Sequence, residues 1–317
     1  LSEFDRKHAW FIAYIFTTDT AGTLSTSISQ GFSSPNPANV TTGSNQTVTF
    51  NALPQGTYSG ETITVTDATG NTGSLTLDNF VIDTTAPTLS EVTPITTPSN
   101  NTRPSYVFTT NEAGTLSTNI SQGFSSPNPA TVTTSGNQTI TFNTLSQGTY
   151  SGKTITVTDS SGNAGSLTLP DFVIDTTAPT LSQVSAITTP SNVTTPSYQF
   201  TTNESGTLST NISQGFSSPN PASVTTGSTQ TITFNTLPDG TYSGKTITVT
   251  DDAGNAGSLT LPDFVIDTTA PTLTTVTINS NNSSNSSVAI KNSIITLSIT
   301  ASENISQPSI SFKIGAT

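Results

Sequence analysis

The sequence predicts an all-β chain of tandem two-sheet sandwiches. Three observations carry that expectation: an internal period of 92 residues, side-chain alternation with period two inside each repeat, and turn residues that break the runs about every 8–12 positions.

The period is fixed by three independent markers. VIDTTAPTL occurs at 81–89, 173–181 and 265–273. GTLSTSISQGFSSPNPA at 22–38 returns almost letter for letter at 114–130 and 206–222. VTDATGN at 65–71 returns as VTDSSGN at 157–163 and VTDDAGN at 249–255. Joints placed at the Thr-Thr-Ala-Pro segments divide the chain into repeats 1–85, 86–177 and 178–269, with a fourth unit, 270–317, expected to be truncated. In that unit TLSITASEN (296–304) resembles the second strand of the others, after an insertion rich in Asn and Ser at 279–287. Residues 1–13 match nothing else in the chain and hold its only Trp and His, Trp10 and His8.

Within 86–177 about seven strands are expected. Strand A lies near Leu89–Ile95, B near Tyr106–Thr110 and C near Gly114–Ile120; a short strand covers Ala130–Thr134. Strand E covers Gln138–Leu145, F Lys153–Thr158 and G Ser166–Ile174. Strand F shows the alternation most clearly, with Ile155 and Val157 facing inward and Thr154, Thr156 and Thr158 outward. Turns are expected at Pro127–Pro129, Gln147–Gly148 and Ser160–Gly162, and no window carries helical spacing. The GFSSPNPA stretch reads as a connection with a buried Phe.

One detail points to the immunoglobulin type of sandwich. LPQGTY (53–58) recurs as LSQGTY (145–150) and LPDGTY (237–242). This places Tyr58, Tyr150 and Tyr242 where a tyrosine corner bonds its hydroxyl to upstream backbone. The Cys–Trp–Cys core of antibody domains is missing, so the core must be aliphatic and Phe-based.

Composition narrows the function. Lys+Arg number 7 against 19 Asp+Glu, a formal net charge of −12. That sign argues against binding nucleic acid by counterion release and against docking on anionic lipid. No apolar run is long enough to span a membrane. With no Cys and a single His, most catalytic triads and thiolate metal sites are excluded, and no glycine-rich phosphate loop occurs. The expectation is therefore not an enzyme.

VTDxxGN followed by a strand and then IDTTAP resembles the bacterial immunoglobulin-like repeats of large secreted adhesins and other modular surface proteins, over residues 14–269 most clearly. The resemblance implies an extracellular setting at the bacterial surface and, in many members, calcium at the joints between domains.

Carboxylates recur at three positions: the Asp of IDTTAP (Asp83, Asp175, Asp267), the Asp of VTDxxGN (Asp67, Asp159, Asp251), and a Glu after strand B (Glu112, Glu204, Glu303). In an immunoglobulin sandwich the start of strand A shares one pole with the B–C and F–G loops. Asp83, Glu112 and Asp159 are therefore expected at one joint, Asp175, Glu204 and Asp251 at the next, and Asp267 with Glu303 at a third. Such oxygen-only sets suit Ca²⁺ better than Mg²⁺. The same residues also read as structural: Asp-x-x-Gly-Asn is a good turn by itself, and Asp before Thr-Thr can cap the linker. In the first repeat Asp19 and Thr20 stand where the others have Asn–Glu.

The function expected from repetition without chemistry is a stalk or spacer of a cell-surface adhesin. Its partners would be the neighbouring repeats of the same chain, and a host or biofilm surface reached through regions outside this stretch. The rivals are repeats that themselves bind glycan or protein, and spacers of a secreted multi-domain hydrolase.

Overall fold

The computed structural model describes residues 13–35, 38–128, 130–134, 136–219 and 222–311. The atypical opening, with His8 and Trp10, lies outside the described residues except for Ala13, and so do parts of the predicted Pro-rich turns. The chain forms two compact units, Leu1–Thr176 and Thr177–Thr317. All described elements are strands.

The repeat at 86–177 shows the plan. Strands A (Leu89–Thr93), B (Ser105–Thr110) and E (Gln138–Phe142), with Phe124–Ser126 on the far edge, make one antiparallel sheet in the order A-B-E-(124–126). Strands C (Gly114–Thr118) and F (Thr154–Thr158), flanked by Thr131–Val132 and Ala164–Thr168, make the other, in the order (131–132)-C-F-(164–168). Between them lies one apolar cluster built on Tyr106, Phe108, Ile140, Phe142, Ile155 and Val157, all fully buried. Threonine alternates with these residues on E and F. A β-branched residue with a hydroxyl suits the wet face of a pleated strand as well as its backbone. Strand F keeps the expected alternation, with Ile155 and Val157 inside and its threonines half exposed.

The strands are shorter and more numerous than the sequence pattern suggests. The expected strand G is two pieces: Ala164–Thr168 pairs with F, while Phe172–Ile174 crosses to pair with Gly148–Tyr150 in a separate two-stranded ribbon. The break falls at Leu169-Pro170-Asp171; Pro170 has no N–H to give a ladder. The first repeat breaks in the same place without a proline, at Leu77-Asp78-Asn79, so the proline is not the sole cause. Phe124–Ser126, read as a connection, is a strand whose Phe124 is half-buried with its ring 5.3 Å from that of Phe142.

The tyrosine corners are present in all three repeats. The hydroxyls of Tyr58, Tyr150 and Tyr242 donate to the carbonyls of Pro54, Ser146 and Pro238 at 2.9, 2.9 and 2.8 Å. Each ring stacks on the Phe that opens the last strand, Phe80, Phe172 or Phe264, at centroid distances of 4.9, 4.9 and 4.8 Å.

In the second unit, repeat 178–269 follows the same plan around Tyr198, Phe200, Ile232, Phe234, Ile247 and Val249. After it, Leu273–Ser280 and Ile295–Ala301 pair as an A–B hairpin that encloses the Asn/Ser insertion. Leu273, Val276 and Ile278 on this hairpin are more than half exposed, because no C, E or F strand covers them among the described residues.

Candidate metal centre

The linker entering repeat 86–177 is held by its own sandwich at four points. Asn111, in the B–C loop, accepts the Thr88 N–H on Oδ1 at 2.6 Å, and its own N–H donates to the Thr88 carbonyl at 3.2 Å. Asn163, in the F–G turn, donates from Nδ2 to the Asp83 carbonyl at 3.0 Å. Gly165 lies flat against Pro87; a Cβ there would be 1.7 Å from the Pro87 oxygen.

This clamp gathers the acids. Carboxylate oxygens of Asp83, Glu112 and Asp159 all lie within 4.8 Å of one another, and each residue is half-buried. Glu112 is placed by Thr110, whose hydroxyl donates to the Glu112 carbonyl at 2.9 Å and accepts its N–H at 3.4 Å. Asp83 accepts the Thr85 N–H at 3.0 Å, so it also caps the linker turn. Asp159 accepts the backbone N–H groups of Ser161 (2.7 Å) and Asn163 (2.9 Å) on one oxygen and Asn163 Nδ2 (2.9 Å) on the other. Burial pushes its pKa up, but the hydrogen bonds from Asn163, Ser161 and Gly162 outweigh that and hold it below the ordinary value. Turn and cluster are thus properties of the same residue.

Two oxygens bound to one Ca²⁺ at about 2.3–2.6 Å can be at most about 5 Å apart, so the three acids fit a single coordination shell completed by carbonyls and water. Left without a counter-charge, each pair repels by about 1 kcal/mol even at the permittivity of water.

The second unit holds a corresponding group that includes Glu204 and Asp251, with carboxylate oxygens again within 4.8 Å. Thr202 pins Glu204 as Thr110 pins Glu112. Asp251 is held below its ordinary pKa in the same way, with burial opposing and Asn255 the leading hydrogen-bond donor. Asp175 is the penultimate residue of the first unit, where its N–H donates to the Ser99 carbonyl at 3.0 Å. Asp267 caps its linker by accepting the Thr269 N–H at 3.0 Å, and Glu303 follows the last strand. Neither belongs to a group of three acids among the described residues. Sequence reasoning missed Asn111, Asn163 and Gly165, although all three lie in or beside the motifs that mark the period.

The family profile described as bacterial Ig-like domain (group 3) matches residues 44–106 and 228–314. Over those residues the chain matches bacterial immunoglobulin-like repeats. Each matched stretch of these Ig-like repeats runs across a Thr-Thr-Ala-Pro joint, and 107–227 carries the same motifs at the same period. No curated protein matches the chain. Solved structures overlap it loosely. SGBP-B of the Bacteroides ovatus mixed-linkage glucan utilization locus, in complex with a mixed-linkage heptasaccharide, shares 15% identity over 84% of this chain and 66% of its own, with a TM-score of 0.20. Gamma-CGTase from alkalophilic Bacillus clarkii shares 15% over 83% and 37%, also at 0.20. Native E. coli alpha-2-macroglobulin shares 8% over 87% and 23%, at 0.21. The chain spans less than two thirds of the length of each. Overlaps this loose bear on neither fold nor function.

Proposed function

We propose that these Ig-like repeats are a non-catalytic spacer, a stalk segment of a bacterial surface adhesin, and that Ca²⁺ stiffens the joints. The observation that carries the proposal is the joint itself, where Asp83 on the linker meets Glu112 and Asp159 on the loops of the sandwich that follows. A cation there ties linker to loops and removes the repulsion that otherwise loosens them. The partners of each repeat are then its neighbours in the chain, with any host or biofilm contact made by regions outside this stretch. The aromatic side chains favour this over a sugar-stacking role, since the large exposed apolar residues described are Ile, Leu and Val.

Calorimetric titration with Ca²⁺, paired with small-angle scattering in Ca²⁺ and in chelator, tests the proposal. Saturable Ca²⁺ binding and a radius of gyration that falls in chelator are expected. Absence of binding with an unchanged radius overturns it.

A further inference from the structure

The entering and leaving segments of the repeat at 86–177 run side by side in the same direction. Near its start Pro87 lies over Gly165; further along, Ser99 forms a parallel bridge with Ile174. Three hydrogen bonds make that bridge. The Ser99 N–H donates to the Val173 carbonyl at 3.1 Å, and the Asp175 N–H donates to the Ser99 carbonyl at 3.0 Å. The Val173 N–H donates to the Thr97 hydroxyl at 2.9 Å, so a side chain supplies the last acceptor. On its other side Phe172–Ile174 pairs antiparallel with Gly148–Tyr150.

The arrangement returns in the repeat at 178–269. Pro179 lies over Gly257, and Ser191 bridges Ile266 in parallel. The Ser191 N–H donates to the Val265 carbonyl at 3.0 Å and the Asp267 N–H to the Ser191 carbonyl at 2.9 Å. The Val265 N–H donates to the Thr189 hydroxyl at 2.8 Å.

Thr97 is exposed and Ser99 half-buried, so the bridge adds little to the apolar core. Its direction gives it another use. Tension on the chain pulls the start of strand A one way and Asp175 the other. Bonds in a parallel pair are evenly spaced along the strands. Strands drawn apart lengthwise therefore load these bonds together, whereas strands drawn apart from one shared end release them in turn.

We propose that the bridge from Thr97–Ser99 to Val173–Asp175, with its counterpart from Thr189–Ser191, is a tension-bearing lock. It ties the entry of each of these sandwiches to its exit, so that load passes between them without first crossing the core. The lock goes beyond the spacer reading and needs no metal, so it is tested in chelator, where the fate of the Ca²⁺ reading has no bearing on the result.

The chain has no cysteine, so thiol handles can be placed in pairs on the whole chain. Optical tweezers compare two pairs at exposed positions. Ala86→Cys with Thr176→Cys pulls the bridge lengthwise; Asn100→Cys with Thr176→Cys peels it from its shared end. The lengthwise pair is expected to unfold at about twice the force of the peeling pair or more, since forced unfolding is governed by the unfolding rate. With lengthwise handles, Thr97→Val is expected to unfold about fivefold faster at a fixed force, the worth of one hydrogen bond, and Thr97→Ser to match the parent. Ser105→Ala removes a hydroxyl pair with Thr141 between strands B and E, and is expected to leave the rate unchanged. Equal forces from both handle pairs overturn the proposal, as does a Ser105→Ala effect as large as that of Thr97→Val.

Discussion

Gly165 and Pro87 touch so closely that no other residue fits at position 165: the hydrogen of glycine occupies the place where a Cβ would lie 1.7 Å from the Pro87 carbonyl oxygen. Gly257 stands in the same relation to Pro179. This contact seats the linker on the F–G side of the sandwich and so brings Asp83 to the loop acids.

Gly165→Ala therefore forces the linker off its seat. Overpacking against backbone costs about 3 kcal/mol. Hydrogen exchange is expected to show faster exchange of the Leu89–Thr93 amides, with Gly73→Ala as the neutral control because nothing lies within 4 Å of its Cβ. Equal effects from both substitutions would contradict the contact.

Tyr150→Phe removes the hydroxyl that donates to Ser146 and keeps the ring stacked on Phe172. The loss should be about 1 kcal/mol, the net worth of one hydrogen bond. Exchange from the Gly148–Tyr150 and Phe172–Ile174 ribbon is expected to quicken, while the Ser105–Thr110 strand changes little.

Acid should weaken the joints in a defined direction. Asp159 and Asp251 titrate below their ordinary value of 3.8 when folded. A depressed folded pKa contributes stability that is present above 3.8 and lost as pH falls through the folded value. Asp159→Asn is expected to melt below the parent at pH 7, with the gap closing as the pH drops below about 4. A gap that stays constant down to pH 2 would remove the hydrogen-bonded carboxylate from the account.

Glu112→Gln separates the two readings of the acids. In chelator it removes a repelling charge, so the midpoint is expected to rise slightly, by the equivalent of about 1 kcal/mol. In Ca²⁺ the order reverses, because a ligand is lost. Thermal melts in both buffers read the crossing; a variant that behaves alike in both leaves Glu112 with a structural role only.

The parts legible in the sequence were those where one side chain decides one position. Ile155 and Val157 announce a buried strand by alternation, and Tyr150 announces its corner by following Gly-Thr. The gathering of Asp83, Glu112 and Asp159 followed from strand order, since loops at one pole of a sandwich must meet. Illegible parts depend on partners far along the chain. Phe124–Ser126 offers one apolar residue and two serines, and only its pairing with Thr141 and Phe142 makes it a strand. Phe172–Ile174 looks continuous with Ala164–Thr168, because alternation cannot say to which sheet a segment belongs. Gly165 looks like any strand glycine until Pro87 is seen against it.

The Thr-Thr-Ala-Pro-Thr-Leu segments are the same at 84–89, 176–181 and 268–273, as are the glycines beneath the first two. Energetically, then, any copy suits any seat. Correct assembly rests on tethering, which raises the local concentration of the adjoining segment above that of its twins. A chain of near-copies is thereby exposed to strand exchange when crowded or partly unfolded, and its fidelity is set by the order in which repeats complete rather than by the strength of any one contact.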